Sequence, residues 1–178
     1  MSSILETRRL ILREFLPQDA NALVLVLSDP DTMKHYPAPI DRDGIQQWIE
    51  RNLRRYAEDG VGVWAMVLKT AGEIIGDCGI IRQHVEGEYL YEIGYHLRRD
   101  HWGQGLATEA AIACREWAFA NLKVDRLISL IRAENVPSRR VAERNGMTIW
   151  KEVDWRGTRH YVYAVEKPKT SPSNKLSS

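Results

Sequence analysis

Three apolar runs of strand length follow one another between residues 61 and 97: VGVWAMVLK, EIIGDCGIIRQ and EYLYEIGYHL. Turn residues, Ala71-Gly72 and Glu86-Gly87, separate them, so the runs are expected to lie side by side as an antiparallel meander. The third run does not turn back. It enters RDHWGQGLATEA, residues 99–110, where Gly103, Gln104 and Gly105 give way to good helix formers. Glycine weakens a helix or strand by roughly 0.5–1 kcal/mol relative to alanine, so the pair implies a backbone conformation, or a close approach, that a β-carbon would forbid. A strand that ends in such a turn and feeds a helix gathers several backbone N–H groups at one spot, and the helix dipole adds positive potential there. That spot suits a phosphate. By itself, however, a lone Gly-x-Gly is more often a plain tight turn.

The rest of the chain gives the junction its setting. Leu10 and Leu12 mark a first strand, Pro17 opens a helix carrying Ala20, Leu23, Val24 and Leu27, and a second helix carries Ile45, Trp48, Ile49, Leu53 and Tyr56 between an Asp41 or Asp43 cap and Gly60. After the junction helix, which ends near Asn121, come strand DRLISLIR, helix NVPSRRVAERNG and strands MTIWKEV and RHYVYAVE. The order is β-α-α-β-β-β-α-β-α-β-β, an α/β arrangement around a mixed, mostly antiparallel sheet flanked by helices. Its one clear βαβ-like crossover, residues 88–132, is where a ligand is expected, because open sheets bind ligands at the carboxyl ends of strands. One domain, residues 4–167, is expected, with 168–178 a disordered tail.

Composition removes several function classes. A net charge of +1 with interspersed signs lacks the footprint of a nucleic-acid binder. No apolar run approaches the roughly 18 residues of a membrane span, and Cys78 and Cys114 form no CxxC pair, which reads as buried, reduced thiols in a cytoplasmic protein. His35, His84, His96, His101 and His160 are scattered without ligand spacing, so no metal site is expected. The junction has Gly105-Leu106-Ala107 where a P-loop has Gly-Lys-Ser/Thr, and Thr108 where a dinucleotide fingerprint has its third glycine.

ETRRLILRE, EIGYHLRRDHWGQGLATEA and NVPSRRVAERNGM, in that order and at those spacings, resemble the GNAT superfamily of acetyl-coenzyme A-dependent N-acetyltransferases, and within it the RimJ/RimL ribosomal-protein N-terminal type. The resemblance spans about residues 6–166. It implies the GNAT fold, acetyl-CoA as co-substrate, and a coenzyme A pyrophosphate on the backbone amides of Trp102, Gly103, Gln104, Gly105, Leu106, Ala107 and Thr108. It also implies that the fourth strand splays from the fifth, freeing backbone groups at Tyr95, His96 and Leu97 to pair with the pantetheine arm. This chain has Asp100 where the superfamily motif begins with Gln or Arg, leaving Arg98 and Arg99 as the nearby cations. Asn135 matches the residue that bonds the pantetheine. Ala142 stands where many relatives carry an acidic tyrosine, and Ser138 matches the serine assigned that role in the RimJ/RimL type. Arg139 and Arg140 are candidates for the 3′-phosphate or are simply solvated.

Acetyl transfer to an amine needs a proton acceptor near the nitrogen. Alternation along YLYEIGYHL puts Tyr89, Tyr91, Ile93, Tyr95 and Leu97 on an apolar face and Glu92 and His96 on the other. Glu92 is the first candidate base, or alternatively a solvated or ion-paired strand residue, and His96 is the second. Asn135 and Ser138, at a helix start, also read as capping residues. Trp48, Trp64 and Tyr36 read as core or pocket wall, and the loop HYPAPIDRDG as part of the acceptor site. The expected partners are acetyl-CoA and a primary amine, with a protein N-terminal α-amine as the leading candidate. The alternatives are a small-molecule amine or a non-catalytic coenzyme A sensor. Nucleic acid and membrane are not expected, and a homodimer is admissible.

Overall fold

A computed structural model describes residues 3–169. Its strands are β1 (Leu5–Glu6), β2 (Leu10–Arg13), β3 (Val63–Leu68), β4 (Glu73–Val85), β5 (Glu88–Leu97), β6 (Arg126–Arg132), β7 (Thr148–Trp155) and β8 (Thr158–Glu166). The helices are α1 (Ala20–Leu27), α2 (Arg42–Asp59), α3 (Leu106–Asn121) and α4 (Val136–Arg144). One eight-stranded sheet runs in the order β1-β2-β3-β4-β5-β6-β8-β7, and only the β5–β6 pairing is parallel. The expected α/β fold with a mostly antiparallel sheet is therefore borne out. The anticipated tail, from residue 170 onward, lies outside the described residues.

Period-2 alternation explains the layering. On β3, Val63 and Ala65 pack with Leu23, Leu27, Ile45 and Ile49 of α1 and α2, while Trp64 and Met66 pack with Leu106, Ala110 and Cys114 of α3 on the other face. A strand covered on both faces has no polar side to show, which is why β3 and the middle of β4 read as continuous apolar runs. Asp41 caps α2 by accepting from the Gly44 amide at 2.8 Å, and Gly60 ends it at φ 70°. Asn52, fully buried on α2, ties the helix to β3. Its Oδ1 accepts from the Val63 amide at 3.0 Å and its Nδ2 donates to the Trp48 carbonyl at 2.9 Å.

Two expectations are corrected. Pro17 opens a single 3-10 turn, Pro17–Asp19, before α1 begins at Ala20, so the first helix starts later than the proline suggests. Tyr89 does not join the apolar face of β5, because it lies near the end of the sheet and is 65% exposed, with the Arg82 guanidinium 4.2 Å from its ring centroid. Cys78 and Cys114 are buried free thiols hydrogen-bonded to each other, their sulfurs 3.5 Å apart. Among the described residues no helix is long and apolar enough to cross a membrane, and no cluster of three His, Cys, Asp or Glu side chains could hold a metal ion.

Candidate active site

The junction between β5 and α3 owes its glycines to backbone conformation. Gly103 and Gly105 have φ of 73° and 74°, in the left-handed region that L side chains rarely adopt. Crowding is not the reason. A β-carbon on Gly103 would meet nothing within 4 Å, and one on Gly105 only the tip of Arg9 at 3.7 Å. The first amides of a helix lack intrahelical acceptors, and among the described residues none of the amides from Gly103 to Thr108 finds another protein acceptor. Glu109, one turn into α3, fixes this arrangement from below. Its carboxylate accepts from the Thr7 hydroxyl at 2.6 Å, the Arg9 amide at 2.9 Å and Arg9 Nε at 2.7 Å, while Arg9 Nη1 donates to the Gln104 carbonyl at 2.9 Å. Burial pushes the Glu109 carboxyl up, but the bonds from Thr7 and Arg9 and the Arg9 charge together outweigh it and hold the group below its ordinary value.

Above the junction the sheet opens. β5 and β6 pair only at Tyr91–Leu127 and Glu92–Ile128, and the buried Ser129 hydroxyl donates to the Ile93 carbonyl at 2.7 Å where the two strands part. Past that point the free edge of β5 borders a cavity of about 460 Å³. Tyr95, His96 and Leu97 line it on one side, Trp102, Gly103 and Gly105 on another, with Leu106, Ala107 and Thr108 beneath and Asn135 and Ser138 opposite. Gln104 does not line it. Its carbonyl is held by Arg9 and its side chain donates to the Asp100 carbonyl at 3.3 Å. The His96 amide also faces away from the open edge, donating to Asp77 Oδ1 at 3.1 Å, and the Leu97 carbonyl already accepts from Trp102 Nε1 at 2.7 Å.

The cations differ from expectation. Arg139 is turned away from this cavity, donating to the Tyr163 hydroxyl at 3.1 Å and the Ala133 carbonyl at 3.0 Å. Arg98 is tied to Asp100 at 2.8 Å and Glu73 at 3.3 Å, and Arg99 is paired with Asp31. The basic side chains that do line the cavity are Lys34, Arg140 and Arg144, and of these only Arg140 is singled out by sequence.

A second cavity, of about 160 Å³, is lined by both of the parted strands, Glu92 to Tyr95 of β5 and Ser129 to Arg132 of β6. Glu92 lines this one alone, whereas His35, Tyr36, Tyr95, Asn135 and Ser138 line both. Those five residues mark the seam along which the two cavities adjoin. Asn135 caps α4, its Oδ1 accepting from the Ser138 amide at 3.3 Å, and the Tyr95 hydroxyl donates to the Ser138 carbonyl at 2.7 Å. The Ser138 hydroxyl makes no hydrogen bond among the described residues. Capping and a place at the seam are thus compatible, because the backbone satisfies the cap and leaves the hydroxyl free. Glu92 accepts from Gln83 Nε2 at 2.8 Å and from the Leu130 amide at 3.4 Å. Burial raises its pKa, opposed by those two bonds and by the charges of Arg55 and Arg156. His96, in contrast, is pinned. Its Nδ1 lies 2.7 Å from Oδ1 of the fully buried Asp77, and its ring packs against Tyr36 and Trp48 at centroid separations of 5.0 and 5.8 Å.

Residues 9–148 match the family model of the acetyltransferase (GNAT) domain. The chain belongs to the GNAT acetyltransferase family. It is 37% identical over 150 residues to the uncharacterized protein YkkB of Bacillus subtilis, covering 84% of this chain and 87% of that one. An acetyltransferase structure from Agrobacterium tumefaciens superposes with a TM-score of 0.77 at 30% identity, covering 94% of this chain and 95% of the other. A RimL ribosomal L7/L12 α-N-protein acetyltransferase in complex with coenzyme A shares the fold, with a TM-score of 0.78 at 19% identity over 93% of this chain and 98% of that one. As a GNAT enzyme the chain transfers an acyl group. The residues that sequence reasoning missed come from this fold and not from any motif: Arg9 and Glu109 bracing the junction, Ser129 parting the strands, and Arg132 and Arg156 on the wall of the smaller cavity. Of these, Arg9 and Glu109 lie in stretches that carry the family resemblance, ETRRLILRE and EIGYHLRRDHWGQGLATEA, and the other three lie outside them.

Proposed function

We propose that the chain transfers the acetyl group of acetyl-coenzyme A to a primary amine by direct attack in a ternary complex. The observation that carries this reading is the seam. One cavity is shaped by acceptor-free amides and a free strand edge, the other contains a half-buried carboxylate, and they meet at Tyr95, Asn135 and Ser138. The larger cavity fits coenzyme A on its own terms. The amides of Gly103 to Thr108 suit a pyrophosphate, Tyr95 and Leu97 border the open edge along which a pantetheine would lie, and Arg140 and Arg144 offer charge to a further phosphate. Acetyl-coenzyme A supplies the acetyl group as an activated thioester. Glu92 accepts a proton as the nitrogen becomes nucleophilic, and its raised pKa brings its basicity closer to the working pH. The unpaired Ser138 hydroxyl gives its proton to the departing sulfur and is restored by the second proton that the nitrogen loses as the amide forms. In balance, an ammonium and a thioester become an amide, a thiol and one released proton.

The smaller cavity holds a group of about one residue's size, either the first residue of a peptide, as in the RimJ/RimL type, or a free small amine. The free thiols of Cys78 and Cys114 support a cytoplasmic setting. The test is to incubate the purified protein with acetyl-coenzyme A and a panel of peptides and small amines, following thiol release and the acetylated product by mass. Amine-dependent thiol release is expected. Its absence across the panel, with coenzyme A binding intact, refutes the assigned catalytic roles.

A further inference from the structure

The smaller cavity carries more positive charge than acetyl transfer to an amine requires. Glu92 is the one carboxylate on its wall, and Arg132 and Arg156 are both there with it. Neither guanidinium donates a hydrogen bond among the described residues. Arg132 has only a loose ion pair, at 3.7 Å, with the largely exposed Glu134, and Arg156 makes no ion pair there, lying 5.5 Å from the centroid of its neighbour Trp155. The backbone at Arg156 adds a second observation. In the Arg156-Gly157 turn between β7 and β8 it sits at φ 53°, where turn chemistry favours Asn, Asp or Gly. An arginine gives that turn no advantage, so its presence asks for a reason in the cavity. The remaining titratable neighbours do not supply an anion. Burial and the Lys34 and Arg132 charges hold His35 below its ordinary pKa despite Glu134, and His160 Nδ1 lies 3.0 Å from the Thr158 carbonyl. Arg55, from α2, adds further positive potential near Glu92.

Two guanidiniums without a hydrogen-bonded partner, on one wall with one carboxylate, suit a ligand of the opposite pattern, with an ammonium at one end and an anion at the other. The first residue of a peptide lacks that anion, because its carboxyl is tied up in an amide. We infer that the acceptor is a free amino acid, its amine directed to Glu92 and its carboxylate held by Arg132 and Arg156. This deepens the acetyltransferase reading and rests on it. The product is then an N-acetyl amino acid, formed with the proton balance given above.

The full chain is assayed with acetyl-coenzyme A against the common amino acids, each beside its α-amide and beside a peptide that starts with the same residue. The best amino acid is expected to exceed its amide in kcat/KM by about tenfold or more, chiefly through KM, as a charge-assisted pair implies. In Arg132→Gln and Arg156→Asn, the latter chosen because asparagine tolerates positive φ, acid and amide should converge to within about threefold. If either variant melts too low to assay, Arg132→Lys, which keeps the charge but loses the fork, should retain part of the preference. Equal rates for acid and amide in the wild type overturn the inference, as does preference for the peptide, acidic first residues included, or a preference that survives both substitutions. In those cases acetyl transfer itself still stands. Thiol release with no amine at all removes both.

Discussion

Replacing Glu109 with alanine removes one acceptor and strands three donors: the Thr7 hydroxyl, the Arg9 amide and Arg9 Nε. A hydrogen bond to a charged group contributes about 1.5–3 kcal/mol, but these three share one carboxylate and do not add. The Glu109 side chain is 19% exposed and that of Arg9 32%, so solvent screens part of the ion pair and water can reach the freed guanidinium. A net loss of roughly 2–3 kcal/mol follows, or about 4–12 °C in Tm for a domain of this size. The diagnostic effect lies elsewhere. Without Glu109, Arg9 loses its anchor and the Gln104 carbonyl its donor, so the junction must be ordered by the ligand itself, and loosening it by about 1 kcal/mol weakens coenzyme A binding roughly fivefold. Thermal melts and calorimetric titration with coenzyme A measure the two effects separately. Because the Glu109 pKa is held below its ordinary value of 4.5, its contribution is present above that pH and lost as the pH falls through the folded-state pKa. The stability gap between wild type and Glu109→Ala should therefore begin to narrow below about pH 4.5 and go on narrowing as the pH falls through the folded-state pKa. A lower Tm with unchanged coenzyme A affinity would show that the two left-handed glycines hold the junction unaided. No change in either would remove the Arg9–Glu109 brace from the account.

The other predictions concern the seam and the junction. Gly105→Val forces a β-branched residue to φ 74°, and should abolish stabilisation by acetyl-coenzyme A in a melt while the fold persists; an undiminished shift removes the cradle. Ser138→Ala should lower kcat more than it weakens acetyl-coenzyme A binding, since a proton is needed only as the sulfur departs; equal kcat leaves Ser138 as a helix-start residue alone. Glu92→Gln should reduce turnover near neutrality by roughly tenfold to a hundredfold, with partial recovery as pH rises. The same change should raise Tm at pH 7. A carboxyl whose pKa is raised by burial binds its proton more tightly in the folded state, so the fold loses stability as pH climbs from the ordinary 4.5 through the raised value, and glutamine removes that penalty while keeping an acceptor for Gln83. Equal rates, or a lower Tm, would contradict the base assignment or the desolvation argument respectively.

Which parts of the fold were legible in the sequence follows from how local their causes are. β5 was placed at its full extent, Glu88–Leu97, because a Glu-Gly turn and the Gly-containing junction bound it on either side. α3 was legible for the same reason. β1 was missed, since two residues carry no period, and no local signal announces that β8 inserts between β6 and β7. The buried Asn52 was missed because its partner, the Val63 amide, lies beyond the end of its own helix.

The active site divides along the same line. In the proposed complex coenzyme A would be gripped largely by backbone, and backbone demands leave a mark in sequence wherever only glycine can meet them, as at Gly103 and Gly105. The cavity proposed for the acceptor is lined by side chains that the fold assembles from separate elements: Glu92 from β5, Arg132 from the end of β6, Arg156 from the β7–β8 turn and Tyr36 from the loop before α2. Each is unremarkable in the sequence, an arginine at a strand end or a charged residue in a turn, and only the cavity shows that two of them share a wall with one carboxylate. Relatives that share the junction can therefore differ freely in acceptor. The residues at positions 132 and 156 are then a better guide to the amine than the motifs that identify the family, and grafting a neutral pair there should broaden the range of amines accepted without weakening coenzyme A binding.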